Sequence, residues 1–137
     1  MDALIDLSAK YPFATNPEGI APSLLAHFNS MDVNVMLRFY HEDAILVGQT
    51  GEVFTGPEAM AAELEKYMSF GLPMVATARN IFVAGDMAEV VLDWSISGKG
   101  PGGQDVNITG VASDIARKGA DGLWRYQIDN PMGTAIR

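Results

Sequence analysis

The chain has 137 residues, with 17 acidic against 9 basic side chains, a formal charge of −8 and no cysteine. That balance excludes a disulfide framework, a thiolate nucleophile and a thiolate metal site, and it makes nucleic acid and anionic membrane surfaces poor partners. A hydrophobic content of 48% excludes disorder, and no apolar run approaches the roughly 18 residues that a membrane span needs.

One domain is expected, long enough to bury roughly two-thirds of its unfolded surface. We divide it into an extension (1–16), a core (17–131) and a tail (132–137). The start, MDALIDLSAKYPF, has no basic n-region, so a cytoplasmic protein without a signal peptide is expected. Ala3, Leu4 and Leu7 suggest one or two helical turns, interrupted by Pro12 and Asn16-Pro17. Tyr11 and Phe13 would let the extension wrap the core.

Asn16-Pro17-Glu18 is a helix start, with Asn as cap and Pro in the first turn. Pro22 places the regular part no earlier than about Gly19, and Leu24, Leu25 and Phe28 form its apolar stripe to about Ser30. Asp32 caps a second short helix, with Val33, Met36, Leu37 and Tyr40 at i, i+3, i+4 and i+7. Ala44–Val47 and Val53-Phe54 flank a Gly-Gln-Thr-Gly turn and predict a small hairpin. Thr55-Gly56-Pro57-Glu58 fits a capping box that opens a third helix to about Phe70, with Gly71 ending it.

From Met74 to Pro131 the period changes to two. Four strands follow, joined at Gly85-Asp86, at the Gly98–Gly103 loop and at Gly119–Gly122. In the second, Ala88, Val90, Leu92, Trp94 and Ile96 alternate with polar residues; in the fourth, Trp124, Tyr126 and Ile128 do the same. Helices first and a one-faced meander afterwards predict an α+β fold in which the helices cover the apolar face of the sheet.

NSMDVNVMLRFYHEDAILVG, FTGPEAMAAEL, VAGDMAEVVLDW and DGLWRYQIDNP together resemble the SnoaL-like and ketosteroid-isomerase-like branch of the nuclear transport factor 2 superfamily, over roughly residues 18–131. The resemblance implies a cone-shaped, cystatin-like fold: a strongly bent, mostly antiparallel sheet packed on three N-terminal helices. A pocket lies in the concavity, and the protein is usually a homodimer. It also implies a small apolar, oxygenated ligand, no cofactor and no metal. Steroid isomerases of this branch carry an Asp base after the "DDA" motif and a Tyr donor on the first helix. The corresponding positions here are Gly48 (beside Val47) and Leu24, so neither group is present. Their third element, a protonated Asp in the third long strand, corresponds to Asp114, with Ser113 as the neighbouring alternative.

Asp114 is therefore the candidate acid. Gly110, Ala112 and Ala116 on its strand face leave room beside it. If that face is concave, burial raises its pKa; on the other face it pairs with Arg117 or Arg79. Tyr40, Trp94 and Tyr126 are candidate pocket aromatics. Asn130 shares the parity of Tyr126 and Ile128 and is expected to point inward, as a ligand contact or a tie to the helices. His41-Glu42-Asp43 is no metal site, because adjacent side chains diverge; Asp43 is expected to bond turn amides. His27 is expected on the wet side of its helix or at the pocket mouth. Val75, Val91, Val111, Ile115 and Ile81 are placed on the outer face as a dimer patch. An enzyme, a binding protein and a non-catalytic dimerisation module all fit the pattern.

Overall fold

The computed structural model describes residues 7–136, so the expected turn at Ala3 and Leu4 lies outside the described residues. The elements in order are α1 (Leu7–Lys10), α2 (Ile20–Phe28), α3 (Val33–Leu37), β1 (Tyr40–Val47), β2 (Val53–Thr55), α4 (Pro57–Met68), β3 (Met74–Ala84), β4 (Met87–Lys99), β5 (Asp105–Lys118) and β6 (Trp124–Asp129). The six strands form one sheet in the order β2-β1-β6-β5-β4-β3. Only β1 and β6 run parallel; every other pair is antiparallel. This is the α+β arrangement expected, with α2, α3 and α4 on the concave face and α1 as one additional turn.

The alternation read from the sequence decides the core. Ala88, Val90, Leu92, Trp94 and Ile96 are all buried, as are Ala112 and Ala116 across from them on β5. The α2 stripe (Ile20, Leu24, Phe28) and the α4 stripe (Met60, Leu64, Tyr67, Met68) cover that face. Two predicted caps form: the Asn16 side chain accepts from Gly19 N–H at 3.1 Å, and that of Asp32 accepts from Asn34 N–H at 2.9 Å.

Two expectations at element ends need correction. No capping box forms at Thr55, because Thr55 is held in β2 opposite Ile45; the cap falls on Gly56, whose φ of 82° suits glycine, and Pro57 opens the helix. Tyr40 is not on the second helix. α3 closes at Leu37, and the Phe39 carbonyl accepts from Tyr126 N–H at 2.8 Å, so the chain is captured as β1 alongside β6.

Three irregularities bend the sheet, between Tyr40 and Ile45, between Ala78 and Asn80, and opposite Ile115 and Ala116. The second inserts Arg79 and turns Ile81 inward, opposite Val90, so the outer patch holds Phe82 instead. The third leaves Gln127 unpaired between Tyr126 and Ile128 and has the largest effect on the site. A strand parity that holds to Tyr126 is reversed beyond it.

Trp94 lies flat over its cross-strand partner Gly110, and a Cβ there would sit 2.7–2.8 Å from the indole. The space left by that small residue is thus filled by Trp94, whose Nε1–H donates to the Pro131 carbonyl at 2.8 Å. Gly110→Ala is expected to displace the indole and lose that bond, costing about 2–3 kcal/mol in urea unfolding. A variant as stable as the wild type would contradict this packing.

Candidate functional site

A cavity of about 40 Å³ lies between the helices and the bent sheet. That is room for about three water molecules. Its walls are apolar: Leu24 and Phe28 come from α2, Met36 from α3, Leu64 from α4, Leu92 and Trp94 from β4. The polar lining consists of Tyr67 and two carboxyl groups, Asp114 on β5 and Asp129 on β6.

Both acids are buried, at 1% and 8% exposure. Asp114 Oδ2 accepts from the Tyr126 hydroxyl at 2.8 Å, and its Oδ1 from the Asn130 backbone N–H at 2.7 Å. Asp129 Oδ2 accepts from the Tyr40 hydroxyl at 2.5 Å. The two carboxyl groups lie close enough to act on each other. Two carboxylates cannot both stay charged in one dry site, so a proton is retained between them. Burial, reinforced by the negative charge of Asp129, holds the Asp114 pKa well above the carboxylate range. Burial also raises Asp129, to about 6, against the opposing bonds from Tyr40 and Asp114. Near neutrality the pair is a carboxylic acid beside a carboxylate; below about pH 6 it is two acids. It can donate to a ligand oxygen, accept from a ligand hydroxyl, or take up and return a proton.

A family model for the SnoaL-like domain matches residues 23–127. The chain belongs to the SnoaL-like domain family. No curated protein matches it in sequence. Among solved structures it is similar to a protein of Thiobacillus denitrificans assigned as a calcium/calmodulin-dependent protein kinase type II association domain. There the identity is 16%, over 89% of this chain and 98% of that one, with a TM-score of 0.70. A protein of Streptomyces avermitilis assigned as a dehydratase of the NTF2-like family shows 15% identity over 88% and 95%, with a TM-score of 0.68. A Shewanella frigidimarina protein assigned as a ketosteroid isomerase shows 14% identity over 85% and 93%, with a TM-score of 0.67. At such identities the likeness establishes the nuclear transport factor 2-like fold alone, and that fold serves unrelated functions.

In this SnoaL-like domain Asp114 and Trp94 line the cavity, whereas Tyr40, Tyr126 and Asn130 do not. The two tyrosines stand behind the acids as donors to them. Asn130 reaches the site through its backbone N–H; its side chain turns away, with Nδ2 3.4 Å from the Gly133 carbonyl. Asp129 takes the inward place. The unpaired Gln127 reverses the parity of the strand, and nothing in the alternation of the sequence reveals such a bulge. Leu24 lines the cavity, while Gly48 packs against Glu52 and Phe54.

The remaining candidates lie elsewhere. Asp43 is exposed on β1 and accepts from Gln127 Nε2 at 3.0 Å rather than from turn amides. His27 is on neither the wet side of α2 nor the cavity wall. It is fully buried among Tyr11, Phe13 and Phe39, its Nδ1–H donating to the Ser23 carbonyl at 2.7 Å. Burial lowers its pKa. Among the described residues no three His, Asp or Glu side chains are grouped to hold a metal, and no helix is long and apolar enough to cross a membrane.

Proposed function

We propose that the cavity binds a small, mainly apolar molecule, an oxygen of which meets the Asp114–Asp129 pair. The observation that carries this reading is a pair of buried carboxyl groups lining a mainly apolar cavity. Burying two carboxyl groups is unfavourable, and a purely structural core gains more from apolar side chains in their place. Met36 and Met74 in the wall are unbranched and can shift to enlarge the space. A ketone oxygen needs donors, and below about pH 6 the pair has two protons to offer instead of one. Titration calorimetry with pentan-2-one is therefore expected to give tighter binding at pH 5 than at pH 8, and none with Asp114→Ala. Equal affinity in the variant, with its fold verified by circular dichroism, would refute the reading.

A second reading makes the protein an enzyme. Its specific support is the position of Asp129, with a pKa of about 6 and direct access to the cavity. A carboxylate poised there can take a proton from a substrate carbon and return it, as isomerase, cyclase or dehydratase chemistry requires.

We also infer that the protein is a homodimer through the outer face of the sheet. Val75 and Phe82 are 66% and 58% exposed there, and Val91, Val111, Ile115 and Ile128 join them on the same face. Sedimentation at micromolar concentration is expected to show twice the 14.7 kDa of one chain. Phe82→Asp is expected to shift the boundary toward the monomer; a monomeric wild type would overturn the assignment.

A further inference from the structure

The cavity wall at Tyr67 has a second side. An outer cleft of about 280 Å³ is lined by Gln49, Thr50 and Glu52 from the loop after β1 and by Glu63, Lys66 and Tyr67 from α4. Tyr67 is the residue common to both spaces, so the two adjoin at its side chain. The ring is held edge-on to Trp94, with centroids 6.1 Å apart. Its hydroxyl is buried, in a residue only 8% exposed, and makes no hydrogen bond of acceptable geometry, although Gln49 lies beside it. Buried polar groups are almost always satisfied, so a buried hydroxyl without a well-formed bond is a place for a ligand atom once Gln49 shifts aside.

The charges of the cleft restrict that atom. Glu63 is 6% exposed and paired with Lys66 at 2.9 Å, which accounts for the one cation among the lining residues. Glu52, whose Oε1 accepts from Thr50 N–H, leaves the cleft with one net negative charge. A carboxylate or phosphate is repelled there, whereas a neutral hydroxyl is accepted and a cationic amine is favoured.

The geometry points to a second, outer subsite, in which Tyr67 and Glu63 take a hydroxyl or amine at the far end of the same ligand whose oxygen meets Asp114 and Asp129. This rests on the cavity reading above and makes the ligand an elongated molecule, polar at both ends and apolar between. Tyr67 can serve such an end as donor or acceptor, and the only contact of its hydroxyl with which the ligand competes is Gln49.

Titration calorimetry at pH 7.5 with four ketones of matched length tests the subsite: octan-2-one, 8-hydroxyoctan-2-one, 8-aminooctan-2-one and 7-oxooctanoate. The hydroxyl and amine compounds are expected to bind about fivefold tighter than octan-2-one, and the carboxylate more weakly than any. Tyr67→Phe loses only an unpartnered hydroxyl and should fold as the wild type does. It is expected to abolish the gain of 8-hydroxyoctan-2-one over octan-2-one, whatever the variant does to the affinity for octan-2-one itself. Equal affinities for all four, or an equal loss for all four in Tyr67→Phe, overturn the outer subsite. If pentan-2-one still binds in an Asp114-dependent way, the inner reading survives that result. If no ketone binds, both readings fall.

Discussion

Asp129→Asn is expected to stabilise the protein at pH 7.5 by roughly 3 kcal/mol and to change little at pH 4. The side chain keeps its shape. Its amide oxygen still accepts from the Tyr40 hydroxyl, and its amide group can face Asp114. What disappears is a carboxylate that burial disfavours in its charged form. In the folded protein Asp129 titrates at about 6 against the ordinary 3.8, so between those values the folded state holds more proton than the unfolded chain. Stability therefore falls as pH rises through that window, and the whole penalty is present above about pH 6.

His27 acts in the opposite direction. Its lowered pKa means that the unfolded chain takes up the proton first, so its contribution rises with pH toward 6.5. The wild-type profile is thus partly flattened, and the informative quantity is the difference between variant and wild type, in which His27 cancels. The exposed carboxylates Asp43, Glu52 and Asp121 are lowered by their hydrogen bonds and matter only as pH drops below the ordinary carboxylate range. Urea unfolding at half-unit steps from pH 4 to pH 8 measures the difference curve. A curve that is flat, or that favours the wild type at pH 7.5, would show that Asp129 carries no such penalty.

The sheet was legible in the sequence wherever one face is buried without interruption. From Ala88 to Ile96 every second residue is apolar because β4 is paired on both sides and lies against the helices, so its alternation leaves one choice. The helix starts at Asn16 and Asp32 were legible for a different reason. A cap is a contact between neighbours in sequence, and its chemistry is local. The acid pair was only half legible. Asp114 stands on a strand whose parity holds, and family resemblance singled it out, whereas Asp129 stands beyond an unpaired residue. Whether Gln127 bulges depends on how β6 must bend to meet β1 and β5 together, which is a property of three strands rather than of one. Tyr40 was misplaced for a related reason: its apolar spacing fits a helix, but pairing with β6 takes the backbone first. Tyr67 lies on the buried stripe of α4. That its hydroxyl ends between two spaces without a partner has no counterpart in the pattern of α4.

Which acid holds the proton can be read from the two tyrosines. Tyr40→Phe removes the donor to Asp129, and Tyr126→Phe removes the donor to Asp114. Each leaves a buried carboxyl oxygen without a partner, but the consequence depends on whether that carboxyl is charged. A hydrogen bond to a charged group contributes about 1.5–3 kcal/mol and one between neutral groups about 1. At pH 8 Asp129 is ionised, so Tyr40→Phe is expected to cost about 2 kcal/mol or more; at pH 4, where Asp129 is protonated, the loss shrinks to about 1. Because the Tyr40 bond favours the charged form, its removal also moves the Asp129 pKa upward from about 6, which carboxyl NMR can follow. Burial holds the Asp114 pKa well above the carboxylate range, so the cost of Tyr126→Phe is expected to vary less with pH than that of Tyr40→Phe. Equal pH dependence in the two variants would mean that the proton is not held at Asp114. A reversed order, with Tyr126→Phe the pH-sensitive one, would place the carboxylate on β5 and make Asp114 the acceptor in any proton transfer.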